Sequence, residues 1–314
     1  MEIEGLAELT IILTSAIKMG TPLLFATLGG VVSERAGVIN LGLEGLMLIG
    51  ALTAFVVDLH TGSKLLALAA AAIAAGLVTV MHALVCISLR ANQIASGLAL
   101  ALLGSGLSGI FGDTLIGKTV QPLADVAIPL LSQMPIIGAA FFRQDPLVYG
   151  SYAAVLLTWY VLFKTSLGLN IRSVGEAPDV CDALGLSVIK YRYGAVIAGG
   201  MMVGVAGAYF PMVLTSFWVD DLTAGRGWIA VALVIFSFWH PVKALLGAYL
   251  FGAAIALQLQ AQAMGIAISS YFLEMLPYLL TLVVLTLVTI RANHKGLTVM
   301  PAALGRAFFR GEPS

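Results

Sequence analysis

Apolar residues fall in long blocks along this chain, at 9–32, 41–57, 65–89, 94–111, 147–163, 193–215, 228–239, 244–262 and 272–290. A helix needs about 20 apolar residues, range about 17–25, to cross the hydrocarbon core of a bilayer. Most blocks meet that length; 228–239 falls short. The pattern predicts an all-α polytopic membrane protein of about 8–10 transmembrane helices, a single transmembrane domain over 1–314. If 228–239 is re-entrant, the crossing count changes by one. Composition agrees: the chain is 60% hydrophobic and 10% charged, where soluble domains average about 25% charged.

Two polar interruptions are long, 112–146 and 164–192. The second carries Lys164, Arg172, Lys190 and Arg192, and basic residues in a short loop mark the cytoplasmic side. The tail points the same way, with Arg291, Lys295, Arg306 and Arg310 against Glu312. Counting back through nine blocks puts Arg90 and Lys243 inside with the C-terminus. The acidic N-terminus, the extracytoplasmic loop 112–146 and Asp220–Asp221 then lie outside. The opening MEIEGLAEL has no basic region, so the first block reads as an uncleaved insertion sequence.

Within the coupling loop 164–192, residues Glu176 to Leu184 read as one short helix. Pro178 suits its first turn, Asp179 and Asp182 sit near its positive end, and Gly185 supplies a left-handed stop. A short helix displayed beside the membrane is a docking surface for another protein, built from Arg172, Glu176, Ala177, Pro178, Asp179, Ala183, Leu184 and Gly185. The alternative is a plain turn lying on lipid headgroups.

Candidate chemistry is sparse. Residues 112–119, GDTLIGKT, match the phosphate-loop pattern, but that loop needs a buried strand before it and a helix N-terminus after it. Here an apolar block precedes and Gln121–Pro122 follow, so nucleotide binding is not expected. Zero net charge argues against nucleic acid. Cys86 and Cys181 give no disulfide framework, and His60, His82, His240 and His294 no metal-ligand spacing. His82 reads as a hydrogen-bonded packing residue, and clustered glycines (97, 104, 106, 109; 199, 200, 204, 207) as close helix packing.

Residues 34–48, ERAGVINLGLEGLML, place Asn40 and Glu44 four apart, on one face if helical. Such groups are costly in lipid and should face protein or a watery path. Glu44 therefore either lines a pathway or caps a neighbouring helix. A second glycine-interrupted segment, TAGRGWIAV at 223–231, stands in the other half, and paired broken segments point to a transport pathway at their junction. Asn92, Gln93, Phe217, Trp218 and Trp228 are further pathway candidates, although aromatics also gather in interfacial belts.

The runs TPLLFATLGGVVSERAGVINLGLEGLMLIGA (21–51), RSVGEAPDVCDALGLSVIKYR (172–192) and GRGWIAVALVIFSFWHPVKALLGAYLFG (225–252) together resemble permease subunits of bacterial ABC importers. The resemblance is to the ribose and branched-chain amino acid type, in its nucleoside and simple-sugar subgroup, and covers essentially the whole chain. It implies a non-enzymatic, multi-pass subunit of the bacterial plasma membrane with no cofactor of its own. It also implies cytoplasmic ABC ATPase subunits that use the ATP, a second homologous permease and an extracytoplasmic substrate-binding lipoprotein. The implied substrate is a nucleoside; a ribose- or galactose-type sugar or a branched-chain amino acid is the alternative. The counterpart of 172–192 is the family's coupling helix. Departures lie at Asp179, Val180, Cys181 and Asp182 and at Phe238–Trp239–His240–Pro241. An ion-coupled transporter would instead rely on Lys18, Glu44, His82 or Glu274.

Overall fold

The computed structural model describes residues 2–264, 270–295 and 300–310. Twelve helices account for most of it: α1 Glu2–Arg35, α2 Leu43–Thr61, α3 Lys64–Ala83, α4 Gln93–Gly112, α5 Ile137–Phe142, α6 Pro146–Lys164, α7 Ser166–Glu176, α8 Pro178–Ala183, α9 Val188–Tyr209, α10 Arg226–Phe236, α11 Pro241–Ala263 and α12 Ser270–Lys295. Seven helical stretches among the described residues are long and apolar enough to cross a membrane; α10 is not. The one sheet among them is a two-stranded ribbon, β1 (Val126–Ala127) antiparallel to β2 (Arg143–Gln144), inside the 112–146 loop.

The bundle has two chemically distinct ends. At one, Arg35 donates to the Trp239 carbonyl, Arg192 to the Arg306 carbonyl, Arg310 pairs with Asp182, and Arg90 lies over the Phe309 ring. At the other, Lys18 pairs with Asp125, Lys64 with Asp58, and Leu123 donates to the Met212 carbonyl. We call the first the basic end. Lys18, a candidate coupling residue by sequence, is thus taken up in an ion pair with the 112–146 loop.

Two of the crossings are broken. After α1 reaches the basic end, 36–42 run back without helix, and α2 begins only at Leu43. In the second, the irregular stretch 215–225 precedes α10, whose 11 residues extend only ~16 Å. The short block 228–239 is therefore the helical half of a crossing whose other half is unwound. Both its ends are built from left-handed residues: Ala224 and Gly225 before it, Phe238 and Trp239 after it.

The centre of the bundle is α1 against α9, with α2, α3 and α11 around them. Close approach explains the glycines of α9: a Cβ at Gly204 would meet the Ala71 carbonyl and the Ala75 methyl. Along α4 the packing expectation holds at Gly97 and Gly104, which face Leu41 and Gly45, and fails at Gly106 and Gly109, which meet nothing.

Candidate functional site

Glu44 sits in the first turn of α2 and is buried, 6% exposed. Its carboxylate accepts from three donors on the other broken crossing: the Thr223 hydroxyl, the Gly225 N–H at 3.1 Å and the Gly227 N–H. The first N–H groups of a helix have no internal partner and carry the positive end of its dipole. Here an acid from one unwound crossing caps the helix that resumes the other. Gly227 leaves no room for a side chain, since a Cβ there would strike the backbone of Glu44.

Asn40 departs from the sequence reading. It lies before the helix, not on a shared face with Glu44, and its Oδ1 accepts from the Gly42 N–H at 2.8 Å. Asparagine bonds its own chain two residues on in this way, which favours a turn over a helix. The preceding Ile39 is held through both backbone groups: Gln93 accepts from its N–H at 2.8 Å, and the His82 ring meets its carbonyl at 3.0 Å. His82 also contacts Ser96, so it is the bonded packing residue expected. Gln93 belongs to this support, while Asn92 is the exposed N-cap of α4, accepting from Ala95.

The aromatic candidates separate. Trp218 is 1% exposed and packs on Phe55 at 5.7 Å, so it is core and belongs to no interfacial belt. Phe217 is exposed and bridges to Thr119. Trp228 is 41% exposed on the first turn of α10, next to the Glu44 cap. Beside that cap a cavity of about 190 Å³ opens between α10, α11 and α12, lined by Arg226, Gln258 and Tyr278 among apolar residues. Arg226, over the Phe210 ring at 5.2 Å, was missed in the sequence. An ionisable group among membrane helices was the signal that could have found it. The Glu274 side chain lies outside the described residues.

At the basic end the island is two helices, not one, and Glu176 ends the first. The break falls at Ala177 (φ −142°, ψ 75°), because a residue before proline is pushed out of the helical region. Thr165 starts α7 by accepting from Gly168, and Gly185 ends the island at φ +83°. Pro178 and Cys181 face inward, while Asp179, Ala183 and Leu184 lie on the outer side; Leu184 is 77% and Val180 59% exposed. Burial pushes the Cys181 thiol up. An open groove of about 510 Å³ between α7 and α8 takes in Arg35, Arg172, Glu176, Ala177 and Leu184. Residues 300–310 strap the island from behind. The Ala303 N–H donates to the Gly175 carbonyl, the Gly305 N–H to Gly37, and the Ala302 N–H to Glu176.

The GDTLIGKT loop starts at the C-terminal end of α4, makes a short 3₁₀ turn over Asp113–Leu115 and leaves in an extended bridge. The helix N-terminus a phosphate loop needs does not follow it.

Known proteins decide the family. The profile of the branched-chain amino acid transport system permease component matches residues 12–289. The chain belongs to this permease family. A provisionally assigned glucose ABC transporter permease protein of Haloferax volcanii is 39% identical, covering 95% of this chain and 97% of its own length. The guanosine ABC transporter permease protein NupQ of Bacillus subtilis is 36% identical over 97% and 98%. The nucleoside ABC transporter permease protein NupC of Lactococcus lactis is 38% identical over 89% and 92%. No solved structure matches the chain.

Proposed function

We propose that this permease is the translocation subunit of an ATP-driven nucleoside importer, working with separate ABC ATPases, a second homologous permease and an extracytoplasmic binding lipoprotein. The observation that carries this reading is 36% and 38% identity, over 97% and 89% of this chain, to permeases named for guanosine and for nucleosides. The basic end is cytoplasmic, as its concentration of Arg and Lys favours, and the N-terminus is outside. Val180 and Leu184 present an apolar tip there, flanked by Arg172 and Glu176, which suits docking on an ATPase.

The substrate route passes the junction of the two broken crossings, beside Glu44, Trp228 and the cavity of Arg226, Gln258 and Tyr278. Unwound backbone at membrane depth is tolerated where it is buried in protein or lines a water-filled cavity. Asn40 and Gln93 shape that route by fixing the unwound 36–42 stretch that leads into α2.

The sugar reading has a specific support of its own, the 39% identity to the glucose-named relative. Uptake by the complete complex in vesicles separates the two. Guanosine should accumulate with ATP in the lumen that holds the ATPases, and excess glucose or leucine should not compete. Glucose accumulation that guanosine leaves untouched would make this a sugar permease.

A further inference from the structure

The basic end carries an apolar groove that the transport reading does not use. Helices α6 and α9 each pack on α1 and hardly on each other, leaving a slot of about 460 Å³ between them. Leu157 and Val161 form one wall, Gly194, Ala198 and Met202 the other, and Val32 the floor. The α9 wall is hollow because its residues are small, and a Cβ at Gly194 would meet nothing within 4 Å.

From Lys190 to Met202 the slot follows twelve residues of helix, ~18 Å. That is close to one leaflet, half of a hydrocarbon core about 30 Å thick. Its mouth is marked by groups of the kind that gather at headgroup level. On α6, Lys164 lies over the Trp159 ring at 5.5 Å; on α9, Tyr191 accepts from Asn170 at 2.7 Å. Amphipathic aromatics collect at that level. Lys190 lines the slot at the same end, is exposed, and among the described residues has no carboxylate within ion-pair reach.

We propose that this slot seats an acyl chain of an anionic phospholipid whose phosphate is held by Lys190. The apolar walls suit a chain and exclude a polar substrate. The unneutralised ammonium selects the charge of the headgroup.

Native mass spectrometry of the full chain, purified and exposed to mixed phosphatidylglycerol and phosphatidylcholine vesicles, tests this. The wild type should retain phosphatidylglycerol about fivefold better than phosphatidylcholine, the preference one basic group confers near anionic lipid. Lys190→Ala should reduce that preference to parity. Gly194→Leu should fill the slot and lose both lipids, with unchanged helical circular dichroism. Retention that neither variant alters would overturn the proposal. So would a Gly194→Cys variant that crosslinks to the second permease in the assembled complex, since a protein helix would then occupy the slot. If Gly194→Leu fails to fold, Lys190→Ala alone decides between selection and its absence.

Discussion

At the scale of single residues, Glu44 carries the most structural information. Its type and its place near the start of an apolar block left two readings open, a pathway lining or a cap on a neighbouring helix. The three donors on 223–227 are nearly 180 residues away, and nothing in periodicity could point to them. Leaving a buried donor unpaired costs about 1–3 kcal/mol, and Glu44→Ala strands the buried Thr223 and Gly227 donors together with the half-buried Gly225 N–H. The variant should melt at markedly lower temperature, whereas Glu44→Gln, which keeps an acceptor oxygen, should lose less. Equal stability of wild type and Glu44→Ala in a detergent melt would show that the cap is dispensable. The glycines sharpen the same lesson. Their clustering was visible, but which ones touch a neighbour is a matter of facing. Gly204→Val should cost about 1–3 kcal/mol through overpacking against α3, and Gly106→Val, which meets only open space, should be nearly neutral. A thermal melt of the two variants side by side checks the contrast.

At the scale of elements, the island shows what local sequence can and cannot reveal. Pro178 and Gly185 were legible because each imposes its own backbone geometry. The preceding helix α7 was missed: Thr165 caps it, and the helix stops where proline disfavours Ala177, so it reads as loop until those two rules are applied together. The strap of 300–310 was invisible for another reason, since it is held largely through backbone groups that carry no sequence signature. If α8 transmits closure of the ATPases to α6 and α9, it must stay helical. Ala183→Pro removes a hydrogen bond in the last turn and costs roughly 3 kcal/mol of local helix stability. The complex should still assemble in the membrane, yet lose uptake and the stimulation of ATP turnover by loaded binding protein. Paired measurements of accumulation and hydrolysis in vesicles would show it, and normal transport by the proline variant would reduce the island to a connector.

At the scale of the whole molecule, seven of the nine apolar blocks are helices long and apolar enough to cross a membrane among the described residues. The block 228–239 is split between an unwound stretch and a half-length helix, which is why it looked short. Hydrophobicity reveals a span because lipid demands it over the full width of the core. It could not reveal that 215–225 and 36–42 are unwound, since hydrophobicity reports which residues avoid water and not their backbone conformation: 36–42 is largely buried, whereas Phe217, Val219, Asp220, Asp221 and Ala224 of the other stretch are exposed. The remaining question is which end faces the cytoplasm, and charge gives a testable answer. Both native cysteines are buried, so background labelling should be low even before Cys86 and Cys181 are replaced by serine. Lys118 and Ala183 are exposed at opposite ends of the bundle. In intact cells an impermeant maleimide should label Lys118→Cys and spare Ala183→Cys; after permeabilisation it should label both. The reverse pattern would invert the molecule, put the apolar tip of α8 outside, and remove the physical basis for the proposed coupling through it. Labelling of both positions in intact cells would mean a mixed orientation, which the one-sided distribution of Arg and Lys opposes.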